Sequence, residues 1–403
     1  MSKKQKKIFK IIVIILAIVL VAELVYFGIR YYNMRKSSTF YSVVNSAVLD
    51  DDKNYVGVGF SDYRYSDFND YDNGYNKATI FNYKDGKVVN EVGFKRGYNS
   101  YFNDVIKVSD GYVAIGSVEM TKDQKDESLS EGLIVKYDKS FKMIWRKNVR
   151  GIGKTELLKI KPDGDDYIVV GTSVYGEGYM GNHKTGGGIL IKFDKDGNEL
   201  KRTNNGGPFN GKFNDVLIER DGYVVVGLGK STSGLIIKYD KSFDKKWSGS
   251  YGYTDKNGIT GIVKLDDKYV TSTTKIVNTK STNTSSAAIV VFDDSGNKVD
   301  DVKYSSNTIN YFADVNVVDD SIIAVGYTGK GSVTDAVIVK YDKDLYEEES
   351  NIIKGNKNDY FSNVYLKDDS IYVLGYSNSK LDGFNLNGYD YFPIVKKYNT
   401  DLK

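Results

Sequence analysis

One polar position recurs at the head of seven similar strand-like phrases. It is filled by Asn45, Asp104, Glu156, Asp215, Gly261, Asp314 and Asn363, so six of the seven are acids or amides. Oxygen ligands converging on one place could ring a cation. The same side chains could instead accept hydrogen bonds from nearby backbone N–H groups and fix a chain corner, which is the expected role here. A second set of residues with chemistry to offer lies in two long tyrosine-rich stretches. Residues 61–77 hold Tyr63, Tyr65, Phe68, Tyr71 and Tyr75 among four Asp, and residues 377–392 hold Phe384, Tyr389, Tyr391 and Phe392. Aromatic rings interleaved with Asp and Asn can stack on a partner or a glycan while the polar groups orient it. Covering of the strand edges beneath them is the plainer alternative.

Other chemistries are poorly supplied. With no Cys there is no disulfide framework, thiolate metal site or lipidated cysteine, and the single His183 forms no evident relay with Ser, Asp or Cys. "FDKDGNE" (193–199) and "DYDNG" (70–74) resemble pieces of calcium loops, but neither has the full carboxylate spacing with a terminal Glu. The first is read as a turn. The glycine cluster in "YGEGYMGNHKTGGG" (175–188) has His183 where a phosphate loop needs Gly before its Lys-Ser/Thr, and it opens no helix. No catalytic residue, metal or cofactor is expected.

The elements that must position these residues emerge from internal repetition. "GLIVKYDKSF" (132–141) returns as "GLIIKYDKSF" (234–243), preceded by "FNDVIKVSDGYVAIGS" (102–117) and "FNDVLIERDGYVVVGL" (213–228). Weaker copies place the residue closing each phrase at 59, 116, 171, 227, 273, 326 and 375, at intervals of 46 to 57 residues. The two decapeptides therefore lie two periods apart. Each period parses into four strands rich in Val, Ile and Tyr, separated by Asp-Gly or Asp-Asp turns and one loop of variable length. One such sheet cannot cover both its faces, so seven must stack into an all-β, seven-bladed propeller of four-stranded antiparallel blades, over residues 43–403. The seventh repeat stops at "PIVKKYNTDLK", before its fourth strand. A segment at about Ser37–Tyr41 is the natural donor of that strand.

The amino terminus reads differently. A basic tail (1–7) leads into an apolar helix expected at 8–32, with 22 residues from Ile8 to Ile29, enough to span a bilayer, where about 20 suffice. Five lysines precede the apolar run, so the tail should stay cytoplasmic and the propeller outside, joined by a juxtamembrane segment at 33–42. Cleavage near Ala22, releasing a secreted protein, is the rival outcome. Glu23 lies inside the span and is expected near its outer end, with pairing to a partner helix as the alternative. Residues 1–36 hold eight of the Lys/Arg and one Glu, leaving 48 basic against 52 acidic residues, so nucleic acid is not an expected partner.

"DAVIVKYDKDLYEEESN" (335–351), "IIAVGYT" (322–328) and the Trp145 and Trp247 positions resemble the repeats of bacterial seven-bladed β-propeller proteins of the secreted and surface type. That resemblance implies the fold and no single activity. The expected function is a membrane-anchored, non-catalytic binding or assembly module of the cell envelope, with an envelope protein or glycan as partner. A surface glycan-active enzyme using loop carboxylates is the alternative.

Overall fold

The computed structural model describes residues 41–403 apart from 51–53, 64–74, 85–86, 95–98, 120–129, 152, 175–185, 206–210, 230–231, 280–281 and 379–391. It also describes Phe9, Glu23, Val25 and Tyr26, all helical and exposed. The expected span at 8–32 otherwise lies outside the described residues, among which no helix is long and apolar enough to cross a membrane.

Every sheet is an antiparallel meander. Blade one is β1 (Tyr41–Leu49), β2 (Asn54–Tyr63), β3 (Tyr75–Lys84) and β4 (Lys87–Phe94). Blade two is β5 (Asn99–Val108), β6 (Gly111–Glu119), β7 (Ser130–Asp138) and β8 (Met143–Val149). Blade three is β9 (Lys154–Asp163), β10 (Asp166–Val174), β11 (Gly186–Phe193) and β12 (Glu199–Asn204). Blade four is β13 (Lys212–Ile218), β14 (Gly222–Leu228), β15 (Ser233–Asp240) and β16 (Lys245–Tyr253). Blade five is β17 (Ile259–Leu265), β18 (Lys268–Thr279), β19 (Thr282–Phe292) and β20 (Lys298–Tyr304). Blade six is β21 (Ile309–Val318), β22 (Ser321–Lys330), β23 (Val333–Tyr341) and β24 (Glu347–Ile353). Blade seven is β25 (Asp359–Lys367), β26 (Ser370–Ser377) and β27 (Phe392–Tyr398), with no fourth strand among the described residues.

The burial pattern shows why the sheets stack. Second strands such as β6 and β14 are buried almost throughout, because both faces meet a neighbouring sheet, whereas fourth strands such as β12 and β24 are largely exposed. Apolar residues therefore run unbroken through second strands rather than alternating. Each core cluster is shared between two blades. Val56 and Ile80 of blade one meet Phe102 and Leu133 of blade two, and equivalent clusters fill the other seams. The ring closes where Val44, Tyr55 and Phe81 of blade one pack on Tyr372 and Leu374 of blade seven. First strands touch one another around the ring and so line the axis. Tyr41, expected in a closing strand, pairs instead with Asp62 inside blade one, and Ser37–Phe40 lie outside the described residues.

First strands carry a one-residue bulge opposite the residue that closes each repeated phrase. The bulge brings a first-strand carbonyl against that residue. A Cβ on Gly116, Gly326 or Gly375 would lie 1.8, 1.9 or 1.8 Å from the carbonyl oxygen of Tyr101, Tyr311 or Tyr360. Blade five reverses the arrangement. Its closing residue is Thr273, and the first strand is entered through Gly258 at φ 75°, whose carbonyl accepts the Thr273 hydroxyl at 2.8 Å.

The repeated glycine is thus a packing requirement. Gly326→Ala should lower stability by about 2 kcal/mol, as overpacking against fixed backbone does. Gly331→Ala, at a turn with φ 70° and open space around it, should cost about 1 kcal/mol, from the left-handed backbone alone. Thermal melts of the two variants check the ranking, and an equal or inverted order would remove the close-approach explanation.

Candidate functional site

Below the channel mouth, each blade has one first-strand position just past its bulge, filled by a side chain in every blade but the fifth. The register makes this set Ser46, Asp104, Lys159, Asp215, Gly261, Asp314 and Asn363. Two expected members therefore move. Asn45 is the bulge residue itself, equivalent to Asn103. Glu156 precedes its buried anchor, Leu157, and so is equivalent to Tyr101. The position assigned to Glu156 belongs to a lysine.

These side chains stitch the seams between blades. In "FND" (102–104), Phe102 is fully buried, Asn103 Nδ2 donates to the Leu157 carbonyl of the next blade at 2.8 Å, and Asp104 Oδ2 accepts the Ile160 N–H at 2.9 Å. In the second "FND" (213–215), Asn214 Nδ2 donates to the Ile259 carbonyl at 2.8 Å and Asp215 Oδ2 accepts the Ile262 N–H at 3.1 Å. Asp314 Oδ2 accepts the Val364 N–H at 3.1 Å, while Asn45 Nδ2 and Thr260 Oγ1 donate to the Phe102 and Phe312 carbonyls at 2.7 and 2.8 Å. Every one of these bonds crosses to the following blade.

The lysines complete the constriction. Lys161 Nζ lies 2.9 Å from Asp215 Oδ1, and Lys159 Nζ lies 3.9 Å from Asp104 Oδ1, which also accepts the Ser46 hydroxyl at 2.6 Å. Burial works against the charge of Lys159, but Asp104, with Tyr365, Asp314 and Asp215 behind it, raises its pKa. Asp314 has no ion-pair partner among the described residues; its oxygens accept the Val315 and Val364 N–H groups. Burial, only partly offset by Lys159, pushes its carboxyl up to about 6.

Above the constriction the mouth is two-sided. Tyr311 and Tyr327 face each other across β21 and β22 with ring centroids 5.0 Å apart, Tyr327 meets Tyr360 of blade seven at 4.9 Å, and Tyr360 meets Tyr376 at 4.8 Å. Phe60 of blade one meets Tyr101 of blade two edge-on at 5.1 Å, and Asn76 Nδ2 donates to the Tyr101 hydroxyl at 3.0 Å. All six rings are half-buried. On blades three to five the positions equivalent to Tyr101, Tyr311 and Tyr360 are Glu156, Lys212 and Gly258, with Asp255 just before β17. Burial lowers the pKa of Lys212, against the pull of Glu156 and Asp255. Burial raises that of Asp255, whose oxygens accept the backbone and side-chain N–H groups of Asn257. Asp255 in turn raises the phenol of Tyr311, already lifted by burial, and that of Tyr327 stands at about 12.

The tyrosine-rich stretches spring from this same face. Tyr63 and Tyr75 end β2 and begin β3, directly paired, while Tyr65, Phe68, Tyr71, Phe384, Tyr389 and Tyr391 lie outside the described residues, as does His183. Sequence reasoning missed the mouth aromatics, although "YF" at 101–102, 311–312 and 360–361, and "GF" or "GY" at 59–60, 326–327 and 375–376, mark them. The fragment at 193–199 is a turn. Asp194 Oδ1 accepts the N–H groups of Asp196 and Asn198 at 2.9 and 2.8 Å, the arrangement also made by Asp138, Asp240, Asp293, Asp342 and Asn399.

No family model and no curated protein matches the chain. Among solved structures it is similar to Sqt1 of Chaetomium thermophilum bound to the N-terminus of the ribosomal protein L10, at 9% identity and TM-score 0.49 over 90% of this chain and 98% of that one. It is also similar to the β-propeller domain of the Trilobed protease from Pyrococcus furiosus (9%, TM-score 0.44, 90% and 97%). A third is a lignostilbene dioxygenase of Pseudomonas brassicacearum (9%, TM-score 0.47, 83% and 85%).

The constriction carries a pH signature. A carboxyl whose folded pKa is raised penalises the fold when ionised, so the Asp314 penalty is present above pH 6 and is relieved as pH falls toward its unfolded value. Lys159→Met removes the ammonium that offsets Asp104, Asp215 and Asp314. It should cost about 2 kcal/mol at pH 7.5, the low side for a broken buried pair because the Lys159 side chain is 19% exposed. Part of that loss should return at pH 5. An equal melting-temperature drop at both pH values would show that Lys159 acts by packing alone.

Proposed function

We propose that this chain is a membrane-tethered propeller that binds its partner without transforming it, through the face bearing the channel mouth and the loops at 61–77 and 377–392. The observation that carries this reading is the asymmetry of the mouth. Each blade has two paired rim positions, one before the buried anchor and one after the closing residue. Blades six and seven carry aromatics at both, blades one and two at one (Phe60 and Tyr101), and blades three to five at neither. Packing alone has no need of that division. The rings offer stacking area at low entropic cost, and the opposite arc offers donors and acceptors, as recognition surfaces do. For the rival enzymatic reading, the half-buried acid at this mouth, Asp255, already has both oxygens engaged by Asn257.

The apolar run at 8–29 with its lysine-rich flank supports an anchor with the propeller outside the cell, acting on an envelope protein or glycan. The loops leave β2 and β26 at this face, and we assign them a share in binding. Replacing Tyr65, Tyr71, Tyr389 and Tyr391 together with Ala should leave the melting temperature nearly unchanged, since exposed loop positions cost under about 0.5 kcal/mol each. Capture of envelope material by the full chain in detergent should fall by about tenfold or more, because a few aromatic anchors dominate such interfaces. An unfolded variant would make these tyrosines core, and unaltered capture by a folded variant would move recognition off the loops.

A further inference from the structure

We infer that the ligand of the channel mouth is a neutral saccharide, held against the tyrosine run Tyr311–Tyr327–Tyr360–Tyr376; this rests on the mouth being the recognition site. The four rings form a continuous surface bridging blades six and seven, each centroid within 5.0 Å of the next. A core serving stability alone is better filled by Phe or Leu, because a phenol brings a hydroxyl that must be satisfied. Here the hydroxyls of Tyr311, Tyr327 and Tyr360 form no hydrogen bond among the described residues. These three residues are half-buried, whereas the unpaired hydroxyls of Tyr83, Tyr137 and Tyr341 are sealed from solvent. Three phenols beside a stacking surface therefore stand ready to donate to, or accept from, an incoming molecule.

The opposite arc narrows the chemical class. Lys212, flanked by Glu156 and Asp255, is the wrong surrounding for a phosphate or carboxylate ligand. Burial disfavours the charged forms of both Lys212 and Asp255, so the arc favours hydrogen bonding over the capture of an ion. An amine would meet the like charge of Lys212 beside Asp255, whose oxygens each already accept one bond from Asn257. A sugar ring matches what remains. Its C–H face lies on tyrosine while its hydroxyls reach the free phenols, the Asn257 amide and Glu156. Below the mouth, the ion-paired side chains of Lys159, Lys161, Asp104 and Asp215 form a polar floor.

The test is calorimetric titration of the full chain in detergent with neutral hexasaccharides of glucose, mannose, galactose and N-acetylglucosamine. At least one should bind. Tyr327→Ala and Tyr376→Ala should each weaken that binding about tenfold or more, as loss of an aromatic anchor does. Tyr327→Phe, which keeps the ring and is expected to fold, should weaken it several-fold through the lost hydroxyl. Absence of binding by every hexasaccharide overturns the inference, as does binding that all three variants retain. If the sugars fail but an envelope protein is captured by the parent chain and lost by Tyr327→Ala, the mouth remains the recognition site and only the saccharide is wrong. If that capture also survives Tyr327→Ala, the mouth itself is the wrong site.

Discussion

The innermost strand of each blade has a sheet partner on one side only, and its other backbone groups face the axis or the next blade. Left bare, they would be buried donors and acceptors at the centre of the molecule, a cost the fold cannot carry seven times. The solution is a one-residue bulge that sets two polar side chains side by side, one donating across the seam and one accepting. Asn103 with Asp104, and Asn214 with Asp215, do this in full; Asn45, Thr260 and Asp314 each do half. At the far ends of the same strands a second tie crosses the seams, with Tyr112, Tyr223 and Tyr269 donating to Asp50, Asp163 and Glu219. Stacked apolar faces hold the blades together; these polar ties fix their spacing and orientation.

The mouth inherits its rigidity from that arrangement. Tyr101, Tyr311 and Tyr360 stand immediately before the buried anchors Phe102, Phe312 and Phe361, and their carbonyls press on the closing glycines. Their backbone positions are therefore set by packing, which leaves the side chains free to vary between blades. Chemical difference between blades is concentrated there, where aromatic rings on one arc face Glu156, Lys212 and Asp255 on the other. A preformed rim of this kind loses little entropy on binding.

Much of this was legible in the chain itself. The repeat period, the four strands per repeat and the turn at Asp194 follow from composition and spacing. The register at the constriction did not, because blades one and three lack the Phe that anchors the phrase; Val44 and Leu157 stand there instead. Without that marker, Asn45 and Glu156 slid into positions that belong to Ser46 and Lys159. The mouth tyrosines were overlooked for another reason. In a chain with 34 Tyr, a ring beside a buried Phe reads as core, and only the three-dimensional run from Tyr311 to Tyr376 separates it from packing. At the constriction, Gly261 on blade five leaves the room that the Asp314 carboxylate of blade six occupies.

The claim that a carboxylate on one blade holds the backbone of the next is most directly tested by amide hydrogen exchange at Ile160, Ile262 and Val364. These N–H groups point away from their own sheets, so without the carboxylates they would exchange as freely as those of an exposed strand edge. The account predicts protection at all three comparable to that of buried second-strand amides such as Val113 and Val225. Asp104→Ala should abolish the protection at Ile160 while leaving Ile262 and Val364 slow. Rapid exchange at the three sites in the parent chain would contradict the account.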